Sequence, residues 1–214
     1  MSAMPAPPPS SAEGALHLLR IHGWVSLPGR PSDPFRRMLR ARRRMVLGLV
    51  VLSGVGVAAV VVGLALRDTG LWSLLIIFGG FFVVLGGVAA VLMWALNHAL
   101  EGRRLAEYQP VVLDAAGIRL RGIGPIPWSD VALPERRRVL TKNDVGGVCA
   151  VMPLTASGHA RVNASMAAWT QLVGPRPYLH LSVPHLLLPG VDGLTEEETM
   201  VLFRTAHQWF APRG

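Results

Sequence analysis

The sequence contains one cysteine, one lysine and none of the common catalytic loop motifs. The single cysteine, Cys149, excludes an internal disulfide framework and leaves no zinc-binding signature, and its apolar neighbours predict a buried strand position. The only lysine, Lys142, does not follow a glycine-rich phosphate loop, and Gly122-Ile123-Gly124 runs into a proline and lacks the dinucleotide-binding pattern. No serine lies in a nucleophile elbow. These absences argue against the familiar classes of nucleotide-binding enzymes and hydrolases.

Groups of ionisable side chains suited to catalysis are also lacking. His180 and His185 have no acidic or cysteine companions at metal-ligand spacing. Asp130 and Glu135 are isolated, and two carboxylates without a predicted cleft do not form an acid–base pair. The sequence therefore predicts no catalytic, cofactor-binding or metal-binding residue, and it favours a protein that is not an enzyme. An enzymatic alternative would depend on Cys149, His180 or His185.

Charge is absent from two long apolar runs, Met45–Leu66 and Leu71–Leu96. About 20 apolar residues are enough to cross a bilayer as a helix, and a helix satisfies every backbone polar group internally. We therefore predict transmembrane helices over 45–66 and 71–100, joined by an external loop at 67–70. The alternative is a helical hairpin buried in a soluble fold. Because the spans carry no charge, the chain alone is not expected to form a transporter or a channel.

Arginines surround the predicted hairpin and indicate its orientation. Short arginine-rich flanks stay in the cytoplasm, so both chain ends are expected there, with Trp72 at the outer interface and Trp94 at the inner one. The formal net charge is +8. It favours an anionic membrane surface over nucleic acid, because the basic clusters adjoin the spans. The candidate lipid-binding residues are Arg36, Arg37, Arg40, Arg42, Arg43 and Arg44 before the first span, and Arg103 and Arg104 after the second.

Glycines recur at seven-residue spacing in both predicted spans. The pairs are Gly56 with Gly63, Gly79 with Gly86, and Gly80 with Gly87. Residues seven apart lie on one face of a helix, where glycine permits close approach of another backbone. Two interpretations remain open. Either the two spans pack on each other through these faces, or one face docks on another membrane protein or on a second copy of this chain.

The segments beside the hairpin differ in composition. Residues 1–14 are rich in proline and serine and predict a disordered tail rather than a signal peptide. Residues 15–44 form a basic juxtamembrane segment. Within it, Ala15–Val25 is expected to form a short helix at the membrane interface or on the C-terminal domain, and a second helix begins at Asp33 and continues into the first span. Residues 101–110 are a linker that leaves the membrane.

Residues 111–214 are predicted to form a domain of short strands and one helix. Asp114 and Gly117 predict a tight turn between the first two strands. Thr195 and Glu198 form a capping box that begins a helix running to about Trp209. The further predicted strands are Ile126–Leu133, Arg137–Leu140, Val148–Met152, Tyr178–Val183 and His185–Leu188. The fold class is therefore α+β: a two-helix transmembrane hairpin followed by an antiparallel β-domain closed by a C-terminal helix.

This order of elements resembles the bacterial pleckstrin-homology-like (PH-like) domains, especially the membrane-anchored YcxB-like kind. The resemblance covers about half of the chain and rests on Val112–Arg121, the Trp-Ser-Asp sequence within Ile126–Val131, Leu186–Pro189 and the terminal helix. It implies a cytoplasmic β-barrel or sandwich, a bacterial inner-membrane location and a binding or scaffolding role without a cofactor. The chain departs from the family at Leu154–Pro177, which is long for a simple loop. This insertion either makes a specific contact or packs over the sheet.

Two functions remain open for a protein of this kind. It is either a non-catalytic membrane protein whose PH-like domain binds a protein partner or the membrane surface, or a small accessory subunit of a larger membrane complex, for example respiratory or secretory. The first hypothesis predicts that Glu107–Gly214 folds alone, and no small-molecule substrate is evident. The residues that could form a basic binding face on the domain, or only a solvated strand face, are Arg119, Arg121, Arg136, Arg137, Arg138 and Lys142.

Overall fold

The structure is a computed structural model of the 214-residue chain. It describes residues 11–66, 70, 72–139, 147–165 and 183–212. The chain divides into two compact units, of which the first combines Met1–Phe35 with Gly102–Gly214 and the second is Arg36–Glu101. The second unit is therefore an insertion within the chain of the first.

Two long helices make up most of the second unit. They are α2 (Asp33–Ala65), which starts three residues before the unit, and α3 (Trp72–Ala99). Their most apolar 18-residue windows have mean hydropathies of 2.7 and 2.6, and only 6% and 11% of those windows are buried. Both helices are long and apolar enough to cross a membrane. The prediction that the helix begun at Asp33 continues into the first apolar run is confirmed, since α2 is one unbroken helix.

The residues that precede the hairpin belong to the core of the first unit. Helix α1 (Ala12–His22) begins after Ser11, whose Oγ accepts a hydrogen bond from the backbone N of Gly14 at 3.1 Å. It ends at Gly23, which adopts the left-handed conformation with φ +72°. Strands β1 (Trp24–Leu27) and β2 (Gly29–Arg30) follow. Of the two places open to Ala15–Val25, the structure shows the one on the C-terminal domain.

The described strands of the first unit form three antiparallel sheets. The largest has the order β1-β3-β4-β5, with β3 at Val111–Asp114, β4 at Gly117–Leu120 and β5 at Ile123–Ile126. Another has the order β6-β7-β8, at Glu135–Arg138, Val148–Pro153 and His185–Leu187, and the third pairs β2 with β9 (Gly190–Val191). The predicted mixture of helix and antiparallel sheet is confirmed. Among the described strands, the sheets remain separate and do not close into a barrel.

The predicted turn between β3 and β4 is present. Asp114 Oδ1 accepts hydrogen bonds from the backbone N of Ala116 at 2.8 Å and of Gly117 at 3.0 Å. Gly117 has φ +146°, and a Cβ at this position would collide with the carbonyl oxygen of Ile126. Glycine is therefore required at the turn, because any side chain would push β5 away from β4.

Helix α6 (Glu196–Phe210) covers the core of the first unit. Its predicted capping box is confirmed: Thr195 Oγ1 accepts from the backbone N of Glu198 at 3.2 Å, and Glu198 Oε2 accepts from the backbone N of Thr195 at 2.7 Å. The buried residues of α6 share one apolar core with those of α1 and β1. That core includes Leu202, Phe203 and Ala206 from α6 together with Ala15, Leu19, Val25 and Leu27 from the N-terminal segment.

One predicted strand is replaced by a turn. The strand predicted over Ile126–Leu133 is not formed, because β5 ends at Ile126 and Trp128–Asp130 forms a 3-10 helix. The indole of Trp128 is buried, and its Nε1 donates to the carbonyl oxygen of Asp114 at 2.8 Å. Pro127, which has no backbone N–H, could not donate a ladder bond at this point. Of the predicted strand at 178–183, only Val183 lies within the described residues.

The first part of the predicted insertion at 154–177 is helical. Helix α5 (Ala156–Ser165) begins after Thr155, whose Oγ1 accepts from the backbone N of Gly158 at 3.2 Å. Asn163 lies inside α5 and links this helix to the chain that follows the insertion. Its Oδ1 accepts from the backbone N of Val183 at 2.6 Å, and its Nδ2 donates to the carbonyl oxygen of Val183 at 3.2 Å. Residues 166–182 lie outside the described residues, so their role stays a prediction.

The boundaries of the units in the structure differ from the domain boundaries predicted from the sequence. The sequence places a juxtamembrane segment at 15–44 and a separate domain at 111–214. In the structure, α1 and β1 lie in the same unit as β3 to α6. The difference arises because β1 pairs with β3 in register from Trp24 opposite Asp114 to Leu27 opposite Val111, a pairing across more than 80 residues of chain that no local pattern encodes.

Candidate functional site

Three ionisable side chains meet inside the first unit. Glu107 ends helix α4 (Glu101–Glu107), and its Oε1 accepts from Nε of Arg103 at 2.8 Å and from Nε of Arg121 at 2.9 Å. Its Oε2 accepts from Nη2 of Arg121 and from the backbone N of Ser32, both at 3.2 Å. None of the three side chains is more than 3% exposed. The Arg103–Glu107–Arg121 cluster is therefore shielded from water.

The cluster joins parts of the first unit that are distant in sequence. Arg121 Nη1 donates to the carbonyl oxygen of Leu187 at 2.8 Å. The guanidinium carbon of Arg103 lies 5.9 Å from the ring centre of Phe35, within cation–π range. Ser32 and Phe35 precede the inserted second unit, and the charged residues follow it. The cluster thus connects the two stretches of chain between which the hairpin is inserted.

The electrostatics of the cluster follow from its burial. Burial alone would raise the pKa of Glu107, but the charges of Arg121 and Arg103, with hydrogen bonds from Arg121 and Ser32, lower that pKa below its usual value. Burial and the charge of Arg121 lower the pKa of Arg103 to about 9, against the attraction of Glu107. At neutral pH Glu107 and Arg103 are both charged. Two buried guanidinium groups consequently share one carboxylate.

The structure corrects the places predicted for two arginines. The sequence puts Arg103 at the membrane surface and Arg121 on a wet strand face, but both side chains are buried against Glu107. Arg121 departs from the alternation of β4 because it follows the end of the strand with φ +52°. Glu107 was not singled out from the sequence, although its spacing of four from Arg103 is the helical ion-pair spacing that could have indicated it.

The arginines at the start of α2 lie on the surface of the helix. Five of them are exposed: Arg36, Arg37, Arg40, Arg43 and Arg44. Arg42 is half-buried, and its Nη1 lies 3.5 Å from both the carbonyl oxygen of Leu96 and Oδ1 of Asn97 in α3. Arg104, on α4, is exposed. The exposed arginines of α2 fall within about three helical turns, which concentrates positive charge directly before the apolar part of the helix.

The arginines of the strands are interspersed with acids. Arg138 is exposed at the end of β6. The ion pairs are Arg119 with Asp114 at 3.7 Å, Arg136 with Glu196 at 3.6 Å and Glu197 at 2.8 Å, and Arg137 with Glu135 at 3.1 Å. These exposed pairs make the surface mixed in charge rather than uniformly basic. The geometry therefore favours a solvated strand face over a continuous basic one at these positions.

One set of glycines lies where α2 and α3 touch. A Cβ on Gly56 would come 2.7 Å from the carbonyl oxygen of Gly79, and a Cβ on Gly79 would come 2.7 Å from that of Gly56. A Cβ on Gly86 would collide with the side chain of Ser53, and one on Gly63 would come within 3.1 Å of the α3 backbone at Trp72. These glycines allow the two helix backbones to approach closely.

The other glycines of α3 face open space. A Cβ on Gly80 or Gly87 would meet no atom within 4 Å. Gly79 and Gly86 lie against α2, whereas the next residue in each case, Gly80 or Gly87, lies on a neighbouring face that does not touch α2. Of the six glycines singled out from the sequence, Gly56, Gly63, Gly79 and Gly86 pack within the hairpin, and Gly80 and Gly87 are the two left open to another helix.

A cavity of about 390 Å³ opens in the first unit beside α5. Its walls are largely apolar and include Ile123, Pro125 and Val162. Asp130 at its polar end is 1% exposed, and its Oδ2 lies 2.9 Å from Nη1 of Arg161. The carboxylate of Asp130 is therefore paired with the guanidinium of Arg161 at the edge of this cavity.

Two of the three residues of the enzymatic alternative, Cys149 and His185, lie within the described residues. Cys149 is buried in β7, as predicted, and its Sγ donates to the carbonyl oxygen of Gly147 at 3.5 Å. Burial and the charge of Arg137 lower the pKa of His185. His180 lies outside the described residues. Within the described ranges, no three or more His, Cys, Asp and Glu side chains are close enough together to hold a metal ion.

Comparison with known proteins finds no match to this chain, whether among family models, curated proteins or solved structures. The function is therefore inferred from the two units themselves: an exposed apolar helical hairpin, and a domain whose interior is tied together by a buried charged cluster.

Proposed function

We propose that this protein is a non-catalytic integral protein of the bacterial inner membrane. Its α2–α3 hairpin crosses the bilayer, and its first unit is a cytoplasmic domain that binds a protein partner or the membrane surface. The observation that carries the proposal is the exposure of two helices of very high hydropathy, of which no more than 11% of the most apolar window is buried. In water this apolar surface would far exceed the patches that soluble proteins expose, whereas a bilayer solvates it favourably.

The distribution of arginine supports a cytoplasmic location for both chain ends. Exposed arginines precede the apolar part of α2, and Arg104 follows α3. Arginine-rich flanks resist transfer across the membrane, so the loop at 67–70 is assigned to the outside. Membership of the N-terminal segment and residues 102–212 in one unit supports the same topology, because a hairpin that crosses twice returns its two ends to the same side.

A binding role of the PH-like kind is assigned to the first unit. The β3–β4 hairpin, the buried Trp128 and the C-terminal helix α6 are the elements that carry the resemblance. The exposed arginines of α2 suit anionic headgroups, at about 1 kcal/mol for each basic residue near the surface. The first unit would thus be held at the cytoplasmic surface of the membrane, where it meets its partner.

A second candidate function is that of an accessory subunit in a larger membrane complex. The open face of α3 at Gly80 and Gly87 favours it, because small residues on an unoccupied face permit docking of another transmembrane helix. Purification in mild detergent, followed by size and mass measurement, separates the two candidates. Co-purification of stoichiometric subunits would support the accessory role, and a lone monomer or homodimer would exclude it.

The topology is tested by labelling single cysteines in a Cys149→Ala background. Gly70→Cys lies between the two spans, and Val201→Cys is an exposed position on α6. A membrane-impermeant maleimide added to intact spheroplasts is expected to label Gly70→Cys alone and to reach Val201→Cys only after permeabilisation. Labelling of Val201→Cys in sealed spheroplasts would reverse the proposed orientation. Release of the protein by alkaline washing would exclude membrane insertion altogether.

A further inference from the structure

Helix α4 has a reversed distribution of polarity. The side it buries in the first unit carries Ala106 and two charged residues, Arg103 and Glu107, each of which is 3% exposed. The face it exposes carries Leu105 at 64% exposure, followed by Tyr108 at 55% in the next turn. A helix on the surface of a soluble domain normally buries its apolar residues and exposes its charges. This arrangement suits a face that contacts a medium less polar than water.

The orientation of α4 is fixed by its inner face. Rotating the helix to hide Leu105 would pull Arg103 and Glu107 away from Arg121 and leave buried charges without partners, which is far more costly than exposing one leucine. The outer face, defined as Arg104, Leu105 and Tyr108, is therefore held outward by the same cluster that joins the segments of the first unit.

The place of α4 in the chain identifies what covers this face. The helix begins at Glu101, two residues after α3 ends at Ala99. The interfacial layer on each side of the hydrocarbon core is about 5–8 Å thick. Because α3 is long enough to cross the bilayer at a tilt, a helix that starts two residues after its end starts close to that layer. Tyrosine is enriched there, and arginine can extend its charge toward headgroup phosphates while its stem lies among apolar groups.

We propose that the outer face of α4 lies in the cytoplasmic headgroup layer of the bilayer that the hairpin crosses, with Leu105 and Tyr108 at the acyl boundary and Arg104 bound to anionic headgroups. This inference rests on the proposed membrane insertion of α2 and α3. It makes α4 a second membrane contact of the first unit, in addition to the covalent connection through the hairpin. The partner is a lipid surface rather than a protein.

The test uses the full chain in a Cys149→Ala background, reconstituted into vesicles of phosphatidylcholine and phosphatidylglycerol. Single cysteines at Leu105→Cys and Tyr108→Cys carry an environment-sensitive fluorophore, and lipids carry a quencher at a shallow or a deep position. Val201→Cys, an exposed apolar position on α6 with 45% exposure, is the matched control. Val84→Cys, at 65% exposure on α3, reports on the span itself.

The labels at 105 and 108 are expected to emit at shorter wavelength than the label at 201. The shallow quencher is expected to quench them at least about twofold more than it quenches the label at 201, because that quencher lies in the interfacial layer. If they match position 201 while position 84 is quenched by the deep quencher, the inference is overturned and the membrane insertion stands. If position 84 also matches position 201, the proposed function itself fails. Blue-shifted labels that no lipid quencher reaches would show a protein cover and would also overturn the inference.

Discussion

At the scale of single residues, we expect substitution of Glu107 to have the largest effect on the stability of the first unit. Its carboxylate is the shared acceptor of Arg103 and Arg121, and it also accepts from the backbone of Ser32. Water cannot replace it, because all three side chains are buried. Its loss would leave two guanidinium groups uncompensated in an environment of low polarity.

We therefore predict that Glu107→Gln lowers the free energy of unfolding of the first unit by about 3–5 kcal/mol. The change preserves the size of the side chain and removes only its charge. The control is Glu197→Gln, which breaks an exposed ion pair with Arg136 and is expected to cost less than about 1 kcal/mol. Urea unfolding in mild detergent, followed by circular dichroism, measures both. Equal effects of the two substitutions would show that the buried cluster does not hold the unit together.

The pKa of Glu107 also predicts how stability changes in acid. A carboxyl group whose pKa is lower in the folded than in the unfolded state contributes stability that is complete above the unfolded value, here 4.5, and is lost as the pH falls through the folded value. The wild-type free energy of unfolding should therefore decline below about pH 4.5, and more steeply than that of Glu107→Gln, which has no carboxyl group to protonate. Parallel pH profiles of the two proteins would contradict this.

At the scale of secondary structure elements, the start of α6 depends on a local signal. Thr195 and Glu198 satisfy each other's backbone N–H groups. We predict that Thr195→Ala costs about 1 kcal/mol of unfolding free energy. Thr205→Ala, the same change within the helix, is expected to have little effect or to stabilise slightly, because alanine is the better helix former. Thermal unfolding of the two variants in parallel decides this, and a larger loss at position 205 would refute the role of the cap.

The packing of α2 on α3 makes a prediction about neighbouring positions. A Cβ on Gly86 would lie 3.2 Å from Cβ of Ser53, so that a small separation of the helices would bring the pair to the roughly 3.5–4.5 Å of a disulfide, whereas one on Gly87 meets nothing within 4 Å. In a Cys149→Ala background, Ser53→Cys with Gly86→Cys is expected to form a disulfide rapidly under mild oxidation. Ser53→Cys with Gly87→Cys is the matched control and should remain reduced. Electrophoretic mobility with and without reductant reports the result, and equal oxidation of both pairs would contradict this helix register.

The elements that the sequence predicts well are those with local signals. The long apolar helices, the turn at Asp114 and the capping box at Thr195 each depend on local sequence, and all three elements are present. The strand predicted at Ile126–Leu133 failed because Trp128 turns into the core, a tertiary effect that outweighs strand propensity.

The candidate site depends on contacts that no local pattern contains. The alternating pattern of the strand predicts that the side chain of Arg121 points outward. In the structure it points inward, because Arg121 has a positive φ and its guanidinium binds Glu107. The pairing of β1 with β3 is likewise invisible in the sequence, because the two strands are separated by the whole hairpin. The sequence therefore predicts the elements on both sides of the hairpin but not that they share one core.

At the scale of the whole molecule, the chain of the first unit is interrupted by an apolar helical hairpin. Strand β1 and the buried residues of α1 contribute to the same core as α6. This alters the expectation, drawn from the sequence, that Glu107–Gly214 folds alone. Such a fragment lacks an edge strand and a core helix, and it also loses Arg103 and the backbone donor of Ser32 from the buried cluster.

The most direct test is to remove the hairpin and rejoin the first unit. Because Arg103 stacks 5.9 Å from the ring of Phe35, a glycine–serine linker of about six residues, which can span up to about 20 Å, can replace residues 36–101. We predict that this rejoined protein unfolds cooperatively in urea, whereas the fragment 102–214 alone shows no cooperative transition. A fragment 102–214 that unfolds as cooperatively as the rejoined protein would contradict the interrupted-domain architecture.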